Sequence, residues 1–211
     1  MIARHYKQIA IKYAEDVIYG AEVLGNATDI VIQGTDLVIK GTDFVITGDD
    51  IVIAGEDIVN ACKRFLEDLK RDDIEYRSKD PDACITLMEG LFVHRKGEKL
   101  DGTPLLGKPL KLEPWEIFIV CNLLGFYYTG TEERRFKEGL IMLARKNGKT
   151  SFVAALSFAV SIMQRRSGST VYVVAAALKQ SMESFKFIDF SLTYKGIRDE
   201  FSVKDNAMEH S

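Results

Sequence analysis

Cysteine and histidine are scarce in this chain, with three of each among 211 residues. Cys62, Cys84 and Cys121 lie far apart and share no metal-ligand spacing. That argues against a zinc site or a disulfide framework and leaves small apolar thiols in a reduced, cytoplasmic protein. His5, His94 and His210 form no cluster, and none is given a role. Long apolar runs are missing as well. Met1-Ile-Ala-Arg-His-Tyr-Lys7 has no apolar signal core, and no stretch approaches 18 uninterrupted apolar residues. The expectation is a protein neither secreted nor membrane-spanning. Nor is there a charge excess. A net charge of −3 gives no global attraction to nucleic acid, so any such contact must be a local patch. What remains is ordinary for a folded soluble chain, 46% hydrophobic and 28% charged. Its length suits one good-sized domain, or one domain with an appended segment.

The most informative stretch is Leu140-Ile-Met-Leu-Ala-Arg-Lys-Asn-Gly-Lys-Thr150. It predicts a buried strand, a phosphate-binding turn and then a helix. Gly-Lys-Thr at such a junction offers backbone amides, a helix N-terminus and an ammonium to a nucleotide's phosphates, with a hydroxyl placed for Mg²⁺. The tripeptide alone is weak, since chance supplies it in roughly one chain in ten of this size. Its flanks strengthen it. Leu140 to Ala144 form an unbroken apolar run, as in a central parallel strand. Phe152, Leu156, Ala159 or Val160, and Met163 then recur at helical spacing, with a helix end near Arg165-Arg166 and a turn at Ser167-Gly-Ser169. A second strand, Thr170-Val-Tyr-Val-Val-Ala175, would complete a βαβ unit. Leu143 stands where the common phosphate loop has its first glycine. The competing reading is a basic helix cap.

Residues 28–55 repeat with period seven: Thr-Asp-Ile-Val-Ile-Gln-Gly, Thr-Asp-Leu-Val-Ile-Lys-Gly, Thr-Asp-Phe-Val-Ile-Thr-Gly, Asp-Asp-Ile-Val-Ile-Ala-Gly. A partial copy, Glu56-Asp-Ile-Val59, follows, and Glu15-Asp-Val-Ile-Tyr-Gly20 is an echo in register. β-branched triplets broken by Gly-Thr-Asp favour short strands with tight turns. A helix would carry a glycine every second turn, at about 1 kcal/mol each against alanine. Calcium binding is disfavoured, because single carboxylates seven apart lack a dense ligand loop. The repeat reads as a tandem duplication enlarging a surface segment, with the chain turning helical from Gly55 onward.

Beyond it, Asn60–Arg71 reads as an amphipathic helix. Asp80-Pro81 opens another through Ile85, Leu87, Met88, Leu91 and Phe92. A loop rich in Gly, Lys and Pro runs from His94 to Leu112, and Glu113-Pro-Trp-Glu116 starts a third helix, Ile117 to Leu124. Trp115 is either a core anchor or the aromatic that stacks on a base upstream of a phosphate loop. Basic residues gather at Arg134, Arg135, Lys137, Arg145, Lys146, Lys149, Arg165 and Arg166, either as a solvated face or as a DNA contact.

Taken together and in order, Tyr13–Gly20, Gly55–Leu69, Leu112-Glu-Pro-Trp115, Arg134-Arg135-Phe136 and Arg145-Lys-Asn-Gly-Lys-Thr150 resemble the large subunit of tailed-phage terminases. The likeness covers nearly the whole chain except the heptapeptides, which look like an insertion. The Arg-Lys-Asn-Gly-Lys-Thr form, without a first glycine, is one variant phosphate loop of that family. The resemblance implies an α/β chain: an incomplete RecA-like P-loop NTPase core, preceded by a helical N-terminal segment with a short β-rich repeat insertion. The corresponding divisions are 1–27 (helical segment), 28–59 (repeat insertion), 60–130 (helical lead-in) and 131–211 (front of the ATPase core).

The same resemblance implies a motor that drives double-stranded DNA into an empty capsid using ATP and Mg²⁺. Gly148, Lys149 and Thr150 would hold phosphates, with the Thr150 hydroxyl on Mg²⁺ and Lys149 and Arg145 in the catalytic roles. Arg145, Lys146 and Asn147 would line the phosphates, and Trp115 and Glu116 would sit at the adenine, where relatives commonly have glutamine in place of Glu116. Ala176-Ala177 with Gln180 would lie near the nucleotide. Mg²⁺ and Lys149 would stabilise charge on the transferring phosphoryl group. Implied partners are double-stranded phage DNA, the portal protein, the terminase small subunit and further copies in a ring on the portal, with no membrane. The place would be the bacterial cytoplasm, transiently at the procapsid. The chain stops at Ser211 before an apolar strand ending in Asp-Glu and before any nuclease carboxylates, so the expectation is the front of the motor subunit, with little hydrolysis. The rivals are a helicase-type P-loop ATPase and a non-catalytic fragment acting through its repeats.

Overall fold

The computed structural model describes residues 5–25, 29–33, 36–40, 52–98, 101–144, 147–164, 171–175 and 178–201. In chain order these form α1 (Tyr6–Gly25), β1 (Asp29–Gln33), β2 (Asp36–Lys40), α2 (Glu56–Asp68), β3 (Ile74–Tyr76), α3 (Lys79–Leu91), α4 (Pro114–Gly125), β4 (Phe126–Tyr128), α5 (Lys149–Met163), α6 (Leu178–Tyr194) and a 3₁₀ turn at Asp199–Phe201. They divide into two compact units, one drawn from 1–81 and 113–139, the other from 82–112 and 140–211.

In the first unit, α1 packs on α2 and α4. Tyr6, Ala10, Ala14, Val17 and Gly20 recur every three or four residues and line its buried stripe, and the small side chains let neighbouring helices approach. Gly55 precedes α2, and Glu56 and Asp57 in its first turn suit the positive end of the helix dipole. Its inner face, Val59, Cys62, Phe65 and Asp68, meets the rings of Phe118, Phe126 and Tyr76, whose centroids lie 5.2, 5.4 and 6.4 Å from that of Phe65 in edge-to-face contacts. Helix α4 passes directly into β4, which pairs antiparallel with β3 in the register Ile74↔Tyr128, Glu75↔Tyr127, Tyr76↔Phe126. The three cysteines are buried, and burial pushes the Cys62 thiol up to about 12.

Asp68 is 2% exposed and forms an ion pair with Arg135, while Arg71 stands 3.6 Å away. This pair ties the end of α2 to the segment that follows β4.

The second unit is organised around Phe92. Its ring stacks on Phe187 of α6 at 5.4 Å and takes Phe158 of α5 edge-on at 5.7 Å. The chain after Phe92 doubles back on itself: the Leu110 N–H donates to the Phe92 carbonyl, the His94 N–H to Lys108 and the Gly107 N–H to His94. Ser191 of α6 is fully buried, and its hydroxyl accepts from the Val93 N–H and donates to the Phe187 carbonyl. Gly107 has φ +75 and lies under the Tyr194 ring, where a Cβ would come within 2.4 Å of the hydroxyl. The left-handed φ favours glycine there, and a Cβ would in addition push the half-exposed Tyr194 ring aside.

Helices α2, α3 and α4 arise where the periodicity predicts, within a few residues at each end. The repeat is stranded at its first two copies, β1 and β2, paired antiparallel from Asp29↔Lys40 to Gln33↔Asp36. Residues 41–51 lie outside the described residues, and 52–55 form no strand. The expected parallel βαβ unit needs correction. Leu140–Ala144 has no ladder partner, and Leu140 and Met142 are 87% and 78% exposed. Val171–Ala175 is likewise unpaired and exposed, while Thr170 lies outside the described residues. A central parallel strand needs hydrogen-bonded neighbours along both edges, and among the described residues these segments have none. The architecture is mixed: helices with two small antiparallel sheets. Among the described residues no helix is long and apolar enough to cross a membrane.

Replacing Asp68 with alanine strands the Arg135 guanidinium, which is only 15% exposed. Denaturant titration of Asp68→Ala should show a loss of about 3–5 kcal/mol. Asp16→Ala, which removes the exposed Lys12–Asp16 pair at 2.9 Å, should leave the midpoint almost unmoved. Gly107→Ala, with both strain and overlap against it, should lower Tm more than Gly102→Ala, whose φ of +78 brings strain but whose Cβ would meet open space.

Candidate functional site

Helix α5 begins at the predicted junction. Gly148 precedes it in the left-handed region, φ 70 and ψ 2, a conformation that disfavours a Cβ. Lys149 and Thr150 open the helix, both exposed. The first intrahelical bond is donated by Phe152 to the Gly148 carbonyl at 3.0 Å. Gly148 has no capping side chain and the first turn holds no carboxylate. The first-turn amides and the positive end of the helix dipole therefore meet no carboxylate within that turn, and the exposed Lys149 stands at its start. Phe152, Ala154, Ala155, Leu156 and Ala159 anchor the helix by its buried face. That donor set fits a phosphate chain: amides and an ammonium for the oxygens, and a Thr150 hydroxyl of the kind that joins a phosphate-bound Mg²⁺. Among the described residues no cluster of three or more His, Cys, Asp or Glu could hold a metal alone.

The other predicted site residues fall elsewhere. Asn147 is exposed beside Gly148, whereas Arg145 and Lys146 lie outside the described residues. Gln180 is exposed in the first turn of α6, and Ala176-Ala177 lie outside the described residues. Trp115 and Glu116 occupy the first turn of α4, in the first unit. Glu116 is buried, and its Oε2 accepts the Glu113 backbone N–H at 2.9 Å, closing the start of its own helix. Burial pushes its carboxyl up to about 7, partly opposed by that hydrogen bond.

Of the basic residues gathered between 134 and 166, three are engaged internally. Arg134 donates to Asp80 at 3.0 Å and to the Tyr127 hydroxyl at 3.1 Å. Arg135 pairs with Asp68, and Lys137 with Glu133. Arg165 and Arg166 lie outside the described residues. Arg134-Arg135-Phe136 is therefore a clasp on the first unit. Phe136 meets Phe126 edge-on, with the guanidinium groups of Arg64 and Arg135 each 5.0 Å from its ring centre. Sequence spacing gave no sign of the acceptors Asp68, Asp80 and Tyr127, because they come from three separate elements.

The Glu116 carboxyl yields a pH signature. Its folded value of about 7 exceeds the ordinary 4.5, so the folded state favours the protonated form. Its contribution to stability is complete below about pH 4.5, declines as pH rises to about 7 and is then level. Thermal unfolding from pH 5 to 8 should show this decline in the parent chain. It should be diminished in Glu116→Gln, which keeps an acceptor for the Glu113 N–H.

Comparison with curated proteins and with solved structures gives no match. Residues 114–211 match the family model of the terminase large subunit, ATPase domain, a span that opens at the first residue of α4 and includes the Gly148–Thr150 turn. That stretch is similar to the ATPase domain of terminase large subunits.

Proposed function

We propose that this chain carries the nucleotide-binding front of a phage DNA-packaging motor, a RecA-like P-loop ATPase that translocates double-stranded DNA into a procapsid. The observation that carries the reading is the exposed Lys149-Thr150 pair at the uncapped start of α5, behind a left-handed Gly148, within the span matched by the ATPase family. The substrate is ATP with Mg²⁺. Lys149 places a fixed positive charge against the phosphates, and the first-turn amides bind their oxygens. The Thr150 hydroxyl contributes to the Mg²⁺ shell, and bound Mg²⁺ supplies charge neutralisation on the transferring group. Asn147 lines the same turn, with Arg145 and Lys146 preceding it in sequence as further phosphate contacts, Arg145 in a catalytic role beside Lys149.

Gln180 supplies an amide near the nucleotide. Glu116 acts by closing the helix that carries Trp115, in keeping with its buried carboxyl. Residues 131–211 form the front of the ATPase core, 60–130 its helical lead-in, 28–59 the repeat insertion and 1–27 the leading helix. Double-stranded DNA, the portal, the small subunit and further copies in a ring are the partners of such a motor, in the host cytoplasm.

Isothermal calorimetry with a non-hydrolysable ATP analogue and Mg²⁺ tests the reading. The parent chain should bind, and Lys149→Ala should lose binding, since no other ammonium stands on that turn among the described residues. Thr150→Ala should weaken binding more with Mg²⁺ present than without it. Equal affinity in Lys149→Ala and parent would remove the phosphate loop from the argument.

A further inference from the structure

Asn147-Gly148 is the one Asn-Gly pair in the sequence, whose other four asparagines precede Ala27, Ala61, Leu123 and Ala207. Both residues of the pair are exposed, immediately before α5, and neither belongs to a helix or strand. Gly148 lies at φ 70 and ψ 2, and no side chain shields its backbone nitrogen. A permissive glycine backbone can bring that nitrogen up to the preceding side-chain amide. Asn60 and Asn122 offer the contrast. Asn60 is exposed and Asn122 half-buried, but they lie inside α2 and α4, followed by Ala61 and Leu123. Helical hydrogen bonds and a following Cβ both oppose the same approach there.

From this we infer that Asn147 is a modification site: it deamidates ahead of Asn60 and Asn122, and the acid formed closes the turn to phosphate. The Gly148 nitrogen adds to the Asn147 side-chain carbonyl carbon, Cγ. As that bond forms, the Cγ–Nδ2 bond breaks, and ammonia leaves with the proton of the Gly148 amide. Water then opens the cyclic imide at either of its carbonyls. Aspartate or isoaspartate results, with no change of oxidation state and a new negative charge directly before the helix. The first turn of α5 holds no carboxylate, so the new charge supplies the anion that turn lacks. It thereby supports the helix while repelling a triphosphate. The loss of phosphate binding rests on the nucleotide reading proposed above, whereas the deamidation does not.

Incubation of the full chain in mildly alkaline buffer, sampled over days, provides the test. Cleavage after glutamate releases the peptide 139–183, in which Asn147 is the only asparagine. Its mass should rise by the amide-to-acid increment before the peptides carrying Asn60 and Asn122 change. Calorimetric affinity for a non-hydrolysable ATP analogue with Mg²⁺ should fall in step with the converted fraction. Asn147→Asp should start about tenfold weaker than the fresh parent through like-charge repulsion. Its thermal midpoint should be no lower than the parent's, which separates repulsion from unfolding. Asn147→Gln, whose larger imide ring closes slowly, should hold its own starting mass and affinity throughout. A 139–183 peptide that keeps its amide while Asn60 or Asn122 converts overturns the proposal. So does full conversion with undiminished affinity. A fresh parent that fails to bind the analogue refutes the nucleotide reading instead, and the peptide mass then decides the modification site by itself.

Discussion

The rings of Tyr76, Phe118 and Phe126 meet edge-on around Phe65, and that cluster fixes where the first unit's other elements can go. Phe65 belongs to α2, Phe118 to α4, and Tyr76 and Phe126 to the β3–β4 pair. Each edge-to-face contact directs the positive rim of one ring at the negative face of another, so the cluster specifies orientation as well as burial. Tyr13 of α1 reaches the same cluster through Phe118 at 5.3 Å. Displacing Phe65 would uncouple four elements at once.

Around this core the charged groups act as ties. Asp68, at the end of α2, has lost most of its hydration, and Arg135 compensates by pairing with it. Arg134 makes the parallel connection to Asp80 and Tyr127. The residues just before the Leu140 segment are thus secured to the first unit by two guanidinium groups and the Phe136 ring. Arginines that a charge count offers to DNA are spent here on internal carboxylates.

The candidate site rests on a different economy. It needs no buried polar network, only a helix start left uncapped. Gly148 supplies the left-handed turn, the absence of an acidic residue in the first turn leaves the dipole uncompensated, and the buried face of α5 holds the terminus in place. Burial of Phe152 and Leu156 thereby positions groups that are themselves exposed, Lys149 and Thr150.

Much of this was readable from residue order, for identifiable reasons. Helix spacing at 56–68, 79–91, 114–125 and 149–163 follows local periodicity, and the Gly-Lys-Thr junction is a local signal in consecutive residues. The repeat's preference for strands follows from β-branched side chains between glycines, and β1 and β2 realise it. Pairing was not readable. The apolar runs at 140–144 and 171–175 look like strands in sequence, but a strand exists only when another segment supplies its hydrogen bonds, and among the described residues none does. Likewise Glu116 reads as a base contact by position and is buried as a helix cap in space. The sequence alone determined which segments could be helical and where the Gly-Lys-Thr junction opens a helix, because both depend on neighbours a few residues apart. Only the tertiary structure decided which charges were already engaged and which strands had partners, since those partners come from distant parts of the chain.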